Sequence, residues 1–291
     1  MAALKDIKRK VVGIQKTRQI TRAMNMVAAS KFKASQTRLE NFRPYALKFF
    51  DVLNSLAPRV EASVHPLLAV REPKKVWVLC MTSDRGLCGG FNNNLIKVAE
   101  RFVKERTRAG QEVELFTIGR KGRDYFRKKI AVRGERVDVF RRFDITMATA
   151  IAGDVIEPFI KEQYDELHII YNEFVNVSVQ RPAMVKLLPL TVEGDSEDLP
   201  FDKRVNYIYE PSEPALVDKL LPMYIHVLVY RALLETSAGE NGARMVAMDN
   251  ATRNCEELIN SLTLKYNKAR QAAITAELMD IVGGTEALAK G

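Results

Sequence analysis

Residues 214–289 read as one long helix with almost nothing to stop it, and this stretch constrains the rest of the chain more than any other. Its one internal proline is Pro222. Alternating steps of four and three run through Leu216, Leu220, Met223, Val227, Tyr230, Leu234, Ser237, Asn241, Arg244, Met248, Ala251, Cys255, Leu258 and Leu262, a heptad seam of the coiled-coil kind. A seam is half of an interface, so a partner helix is required. At ~1.5 Å per residue such a helix reaches on the order of 100 Å, several times the width of an ordinary domain.

The partner stands at the other end of the chain. Leu4, Ile7, Val11, Ile14, Arg18, Thr21, Asn25, Ala28, Phe32, Ser35, Leu39 and Phe42 step by three and four in the same way, with Pro44 as a candidate break and Pro58 as the end. The two seams form an antiparallel pair. Both turn polar in the middle, the first at Arg18, Thr21 and Asn25, the second at Ser237, Asn241 and Arg244. Polar seam positions favour facing one another, because an unpaired one costs about 1–3 kcal/mol. Matching Asn25 to Asn241 places Leu4 beside Leu262, and everything beyond Leu262 projects without a partner in the chain. That tip carries Leu264, Ile274, Leu278, Met279, Ile281 and Val282 on more than one face, so it calls for an enclosing surface. Gly283 and Gly284 are the expected end of the helix.

Between the helices the pattern changes to short apolar runs alternating with helices. Strands are expected at 76–82, 112–118 and 167–173, with further strand-like runs at 175–189 and 204–209 at the sheet edge. Helices are expected at 94–107, 122–128 and 148–163. The fold class is therefore α/β: a Rossmann-like domain inserted into a long antiparallel coiled coil of N- and C-terminal helices. The expected division is a coiled-coil helix at 1–57, an α/β domain at 74–210 and a second coiled-coil helix at 212–289.

The loop Asp84, Arg85, Gly86, Leu87, Cys88, Gly89, Gly90 is the most enzyme-like stretch. A glycine-rich turn between a strand and a helix can cradle phosphate on backbone amides. Its glycine order fits neither the dinucleotide fingerprint nor a P-loop, and Gly119, Arg120 and Lys121 stand where an acidic ribose-binding residue would end the second strand. A tight structural turn or a protein contact is the better reading. His65, His168 and His226 have no clustered carboxylates or cysteines beside them and read as structural, while Cys88 beside Arg85 could have a lowered pKa but has no base with it. No active site, metal site or cofactor site emerges.

Composition matters chiefly through where the charge lies. Residues 1–57 hold 12 Lys and Arg against 3 Asp and Glu, leaving 33 against 33 for residues 58–291. A basic helix of this kind suits an acidic partner or nucleic acid. The three cysteines lack metal or redox-pair spacing and are expected as free thiols, and neither a membrane span nor a signal segment is apparent.

The wording of several stretches resembles one family. LKDIKRK at 4–10, ITRAMNMVAASK at 20–31, DRGLCGGFN at 84–92, ARMVAMDNAT at 243–252 and LKYNKARQAAIT at 264–275 are similar, in order, to the gamma subunit of F-type ATP synthases. The resemblance implies a non-catalytic rotor shaft, present once per complex. Its coiled coil would stand in the bore of an alpha/beta hexamer, and its foot would rest on the ring of c subunits beside epsilon. Met24, Lys268, Arg270, Gln271 and Thr275 match the part that the hexamer grips, and Asp84, Arg85, Gly86, Gly89 and Gly90 match a loop of the foot. No large cysteine-bearing insertion interrupts the α/β region, so a bacterial form is expected, peripheral on the cytoplasmic face of the inner membrane. The alternatives are an NADP-dependent oxidoreductase using Gly86–Gly90 and Arg120, or a basic coiled coil that binds nucleic acid through residues 5–33.

Overall fold

A computed structural model of the chain describes residues 2–56, 65–190 and 213–289. The run 204–209, Pro58 and Pro211 fall outside these residues. The elements in order are α1 (Ala2–Leu56), β1 (Lys75–Met81), α2 (Phe91–Arg108), β2 (Glu112–Ile118), α3 (Arg120–Phe126), β3 (Val132–Arg136), α4 (Ile145–Ile160), β4 (Glu166–Phe174), β5 (Gln180–Leu188) and α5 (Glu213–Ala289). Contacts separate the chain into two compact units, residues 29–244 and residues 1–28 with 245–291.

In the larger unit the sheet order is β3-β2-β1-β4-β5, parallel throughout except for β5, which runs antiparallel beside β4. Strand β1 shows why its sequence is apolar without interruption: successive side chains enter opposite layers, and both layers are covered. Val76, Val78 and Cys80 pack with Leu95, Ile96, Ala99 and Phe102 of α2 and with Phe126 of α3. Trp77, Leu79 and Met81 join Ile151, Val155 and Phe159 of α4 and Leu221, Ile225 and Val229 of α5 on the other side. Tyr164 closes this second layer, fully buried, its ring stacked 4.3 Å from Trp77 and its hydroxyl donating to the Val155 carbonyl at 2.5 Å. Tyr164→Phe keeps the stacking and removes one buried hydrogen bond, so urea unfolding should show a loss of about 1 kcal/mol.

Helix α5 is buried on every side from Ala232 to Gly242. Helix α1 covers one side, with Phe42 edge-on to Tyr230 at 4.8 Å and Ser35 bonded to Ser237 at 3.0 Å. The β4–β5 hairpin covers another, where Glu235 accepts from the Phe174 amide, and a Cβ on Gly239 would meet Phe91 and Gln180 at 3.0 and 3.2 Å. The small residues at Ser237, Ala238, Gly239 and Gly242 are therefore what lets backbone and rings come this close.

Several expectations need correction. Helix α1 runs unbroken through Pro44, whose ring faces solvent, and α5 continues through Pro222 and past Gly283 and Gly284. A glycine costs a helix only about 1 kcal/mol, too little to end one this long. Strand β3 was not foreseen: Val132-Arg-Gly-Glu-Arg has one strongly apolar residue because it is an edge strand with two exposed arginines. The helix expected at 148–163 is Ile145–Ile160, capped by Asp144, whose carboxylate accepts from the Met147 amide.

The smaller unit is two helical segments joined by a polar seam. Asn25 donates to the Met245 carbonyl at 2.9 Å, Thr21 pairs with Thr252 at 2.8 Å, and Arg18 lies 3.8 Å from Glu256. The register is thus about one turn or more beyond the match of Asn25 with Asn241. Asn241 is satisfied within its own helix at the Ser237 carbonyl. Like need not meet like, because a helical carbonyl keeps a second lone pair for an asparagine amide. Leu258 is 52% exposed, and partial burial continues instead through Ile259, Leu262, Tyr266, Ala269 and Ala273. Pairing therefore extends beyond Leu262.

Candidate functional site

Two regions carry the residues singled out from sequence, and each belongs to one unit. The first is the loop after β1. Leu87 at φ 61° and Gly89 at φ 57° turn the chain through the left-handed region before α2 begins. Asn92 holds the turn from inside: its side-chain oxygen accepts from the Ser83 amide at 2.9 Å, and its amide donates to the Ser83 hydroxyl at 2.7 Å and to Cys88 Sγ at 3.3 Å. Asp84 accepts from the backbone amides of Arg120 and Asp138, at 3.0 and 2.9 Å. Asn172 of β4 donates to the Phe91 carbonyl.

Helix α5 fastens the outer side of the same loop. Arg244 donates to the carbonyls of Arg85 and Gly86 at 3.3 and 3.2 Å while pairing with Glu240 at 2.6 Å. Glu240 is 6% exposed, and burial raises its pKa against the opposing pull of Arg244. The sequence does not disclose this clamp, because Arg244 stands 158 positions from Gly86; there Arg244 is a polar seam position and part of the family-like stretch at 243–252. Cys88 is buried, and its pKa is raised chiefly by desolvation, the reverse of an activated thiol. Cys80 and Cys255 are likewise buried free thiols.

This geometry gives the oxidoreductase reading no support. Phosphates in such folds sit on free amides at the crevice where strand order reverses, here beside β1 and β4. In this chain the Ser83 amide is taken by Asn92, the Phe91 amide by the Cys88 carbonyl, and the Asn94 amide by the Gly90 carbonyl. Arg120, the residue that would meet a ribose phosphate, is paired with Asp138 at 2.7 Å. At the opposite end of the sheet Glu166 sits among Lys186 at 2.8 Å, Arg106 at 3.1 Å and His168 at 3.2 Å. Burial opposes its ionisation, but Lys186, His168 and Arg106 together hold its pKa below the ordinary range, while burial lowers that of His168. The cluster is closed on itself and reads as structural.

The second region is the C-terminal part of α5. Met24 of α1 is half-buried but stands apart, one residue before the Asn25 that bonds Met245, while Lys268, Arg270, Gln271 and Thr275 are exposed, Thr275 bonding to the Gln271 carbonyl of its own helix. Around them Leu264, Ile274, Leu278, Met279, Ile281 and Val282 are between 49% and 67% exposed. Apolar side chains this open and this close together are uncommon on the surface of a monomer. No helix among the described residues is long and apolar enough to cross a membrane.

A family model described as ATP synthase matches residues 3–288. The ATP synthase gamma chain of Syntrophus aciditrophicus (strain SB) is 67% identical over 291 residues, covering all of both chains. That of Nitratidesulfovibrio vulgaris (strain DSM 19637 / Miyazaki F) is 48% identical over 99% of both. Among solved structures, a chain from the central stalk and c-ring of the Tetrahymena thermophila mitochondrial ATP synthase superimposes with a TM-score of 0.61 at 27% identity, over 80% of this chain and 99% of that one. A chain from the Euglena gracilis mitochondrial ATP synthase gives 0.68 at 20% identity over 99% and 95%, a likeness of fold. With a match from residue 3 to residue 288 and relatives aligned end to end, the chain belongs to the ATP synthase gamma chain family.

Proposed function

We propose that this chain is the central rotor shaft of an F-type ATP synthase and is itself non-catalytic. The observation that carries the reading is the open apolar surface of α5 around Arg270, in a chain whose enzyme-like loop is filled by its own side chains. In this reading Met24, Lys268, Arg270, Gln271 and Thr275 contact the alpha/beta hexamer. The α/β domain, 74–210, is the foot beside the c-subunit ring and epsilon, with the loop from Asp84 through Gly90 on it. The helices at 1–57 and 212–289 form the shaft. One copy serves each complex, peripheral on the cytoplasmic face of a bacterial inner membrane.

An asymmetric shaft inside a collar of three alike catalytic subunits meets each of them with different contacts. It therefore biases their conformations differently, a coupling through population shift. Basic side chains along α1 suit acidic loops on the collar, where screened charges steer without holding.

Gentle isolation of the native protein should bring down alpha, beta and c subunits together, and recovery of a lone chain would sink the proposal. The bearing is tested by Met24→Lys, which sets a long charge against a close-packed sleeve. ATP hydrolysis and ATP-driven proton pumping, measured on the same membranes, should show fewer protons moved per ATP with assembly intact. Arg270→Ala and Gln271→Ala should change the hydrolysis rate while leaving nucleotide affinity alone, since the shaft contributes no atom to the catalytic sites. Unchanged pumping per ATP in Met24→Lys would count against a coupling role for this face.

A further inference from the structure

In the larger unit, α1 and α5 leave a cavity of about 210 Å³ between them. Its apolar walls include Phe42, Ala46, Leu47 and Phe50 of α1 and Val227 and Leu228 of α5. Leu47 and Phe50 are exposed, whereas Val227 is buried, so the opening has depth. An apolar cavity of about 150 Å³ already accepts a benzene ring. This one has room for a ring or a short hydrocarbon chain.

The lining also holds Arg43 of α1 and Arg231 and Glu235 of α5. The carboxylate is already engaged: Glu235 accepts from Arg231 Nε at 2.7 Å and from the Phe174 amide at 3.2 Å. The cations are not. Among the described residues Arg43 has no hydrogen bond or ion pair, and Arg231 donates from Nε alone, which leaves its two terminal nitrogens open. Glu173 of β4 acts on Arg231 only through space.

A guanidinium presents paired N–H groups that match the two oxygens of a carboxylate. Two arginines with spare donors, set beside apolar walls, therefore select an acid with a hydrocarbon tail. A cationic amphiphile would be repelled, and a neutral one would leave the donors unused. A protein partner would cover about 800 Å² of its own surface. An opening that deepens from Leu47 and Phe50 to Val227 has instead the form of a small-molecule pocket, apolar with a few placed polar groups.

We propose that this cavity binds a small monocarboxylate with an apolar tail, the carboxylate on Arg43 and Arg231 and the tail among Phe42, Leu47, Phe50 and Val227. The site stands apart from the rotor reading, since none of these residues is assigned there to the hexamer or to the loop of the foot. A bound acid touches both helices at once. It stabilises their packing, and the melting temperature rises with its concentration.

The probes are octanoate and its uncharged counterpart octanol, titrated into the full-length chain by calorimetry and by thermal melting. Octanoate should bind and raise the melting temperature, and octanol should bind on the order of ten-fold more weakly, lacking the charge-assisted bonds. Arg43→Gln should lose on the order of ten-fold in octanoate affinity and leave octanol unchanged. Ala46→Leu fills the cavity and should abolish binding of both. Neither substitution threatens the fold, because Arg43 is exposed and unpaired among the described residues and Ala46 is a half-buried helical position where leucine is a good helix former. Circular dichroism of the unliganded variants checks this. Equal affinity for octanoate and octanol, an Arg43→Gln variant that binds octanoate like wild type, or octanoate binding unchanged in Ala46→Leu would each overturn the proposal. Absence of binding at millimolar octanoate would overturn it too, and loss of a subunit from the complex isolated with Ala46→Leu would then assign the groove to a protein partner.

Discussion

Gly119→Ala should lower the stability of the larger unit by about 4 kcal/mol or more, enough to leave much of the protein unfolded at 37 °C. Gly119 ends β2 at φ 90°, a backbone region that costs an L residue about 1–3 kcal/mol. A Cβ there would also lie 2.0 Å from the Thr82 carbonyl oxygen and 2.7 Å from its carbon. The obstacle is backbone that cannot step aside. The Thr82 amide donates to the Ile118 carbonyl at 2.8 Å, its hydroxyl accepts from the Gly122 amide at 2.7 Å, and the Gly119 amide is held by the Arg136 carbonyl. Relief would require β1 and β2 to separate. Gly153 is the control: it lies inside α4 with nothing within 4 Å of a new Cβ. Gly153→Ala should stabilise by about 0.5–1 kcal/mol through helix propensity. Urea unfolding of both variants decides the matter, and a Gly119→Ala midpoint close to wild type would refute the clash.

Arg244→Ala should cost about 3–5 kcal/mol at pH 8 and distinctly less at pH 5, because it leaves Glu240 buried without its cation. The sign follows from the direction of the carboxyl shift. Burial already raises the Glu240 pKa in the folded protein, and losing Arg244 raises it further. Above the ordinary carboxylate pKa and below this raised value, the folded state binds a proton that the unfolded state has released. Stability therefore falls as pH rises through that window. Acid relieves the penalty by neutralising Glu240. Glu240→Gln in the same chain should recover most of the loss at pH 8, leaving about 1 kcal/mol for the missing bonds to the Arg85 and Gly86 carbonyls. Urea titrations at the two pH values would expose a mistake through a pH-independent penalty or an ineffective second substitution.

The contrast between these two sites shows what a sequence can disclose. Every position of the first seam, from Leu4 to Phe42, lies on the buried or half-buried side of α1, because a heptad repeat records which face meets a partner. The second seam failed at Met223 and Leu258 for a physical reason. Around Met223 helix α5 packs against the sheet as well as against α1, so its pattern mixes two faces, whereas at Leu258 the half-buried side has passed to Ile259 and Leu262. Strand β1 was legible as a run buried on both faces, whereas β3, with one strongly apolar residue, was not. The loop was recognisable as a turn from its glycines. Its interior bonding through Asn92 and its clamp through Arg244 depend on contacts that no local pattern encodes. The tip was legible as apolar; where its pairing with α1 ends was not, since that depended on a register set by an asparagine bonding to a backbone carbonyl.

Asn92 in the crevice of the sheet has a thermodynamic consequence. A domain of this architecture that holds a free ligand gains stability with the logarithm of ligand concentration, so its firmness follows the metabolic state of the cell. Here the occupant is a side chain of the same polypeptide, tethered nine residues from the Ser83 amide it bonds, and its local concentration is fixed by covalent structure. The crevice cannot empty when nucleotide levels fall or fill differently when they rise. In a component that transmits force between two machines, one of which consumes or makes ATP, the fastening of this turn is thereby independent of the ratio of ATP to ADP around it.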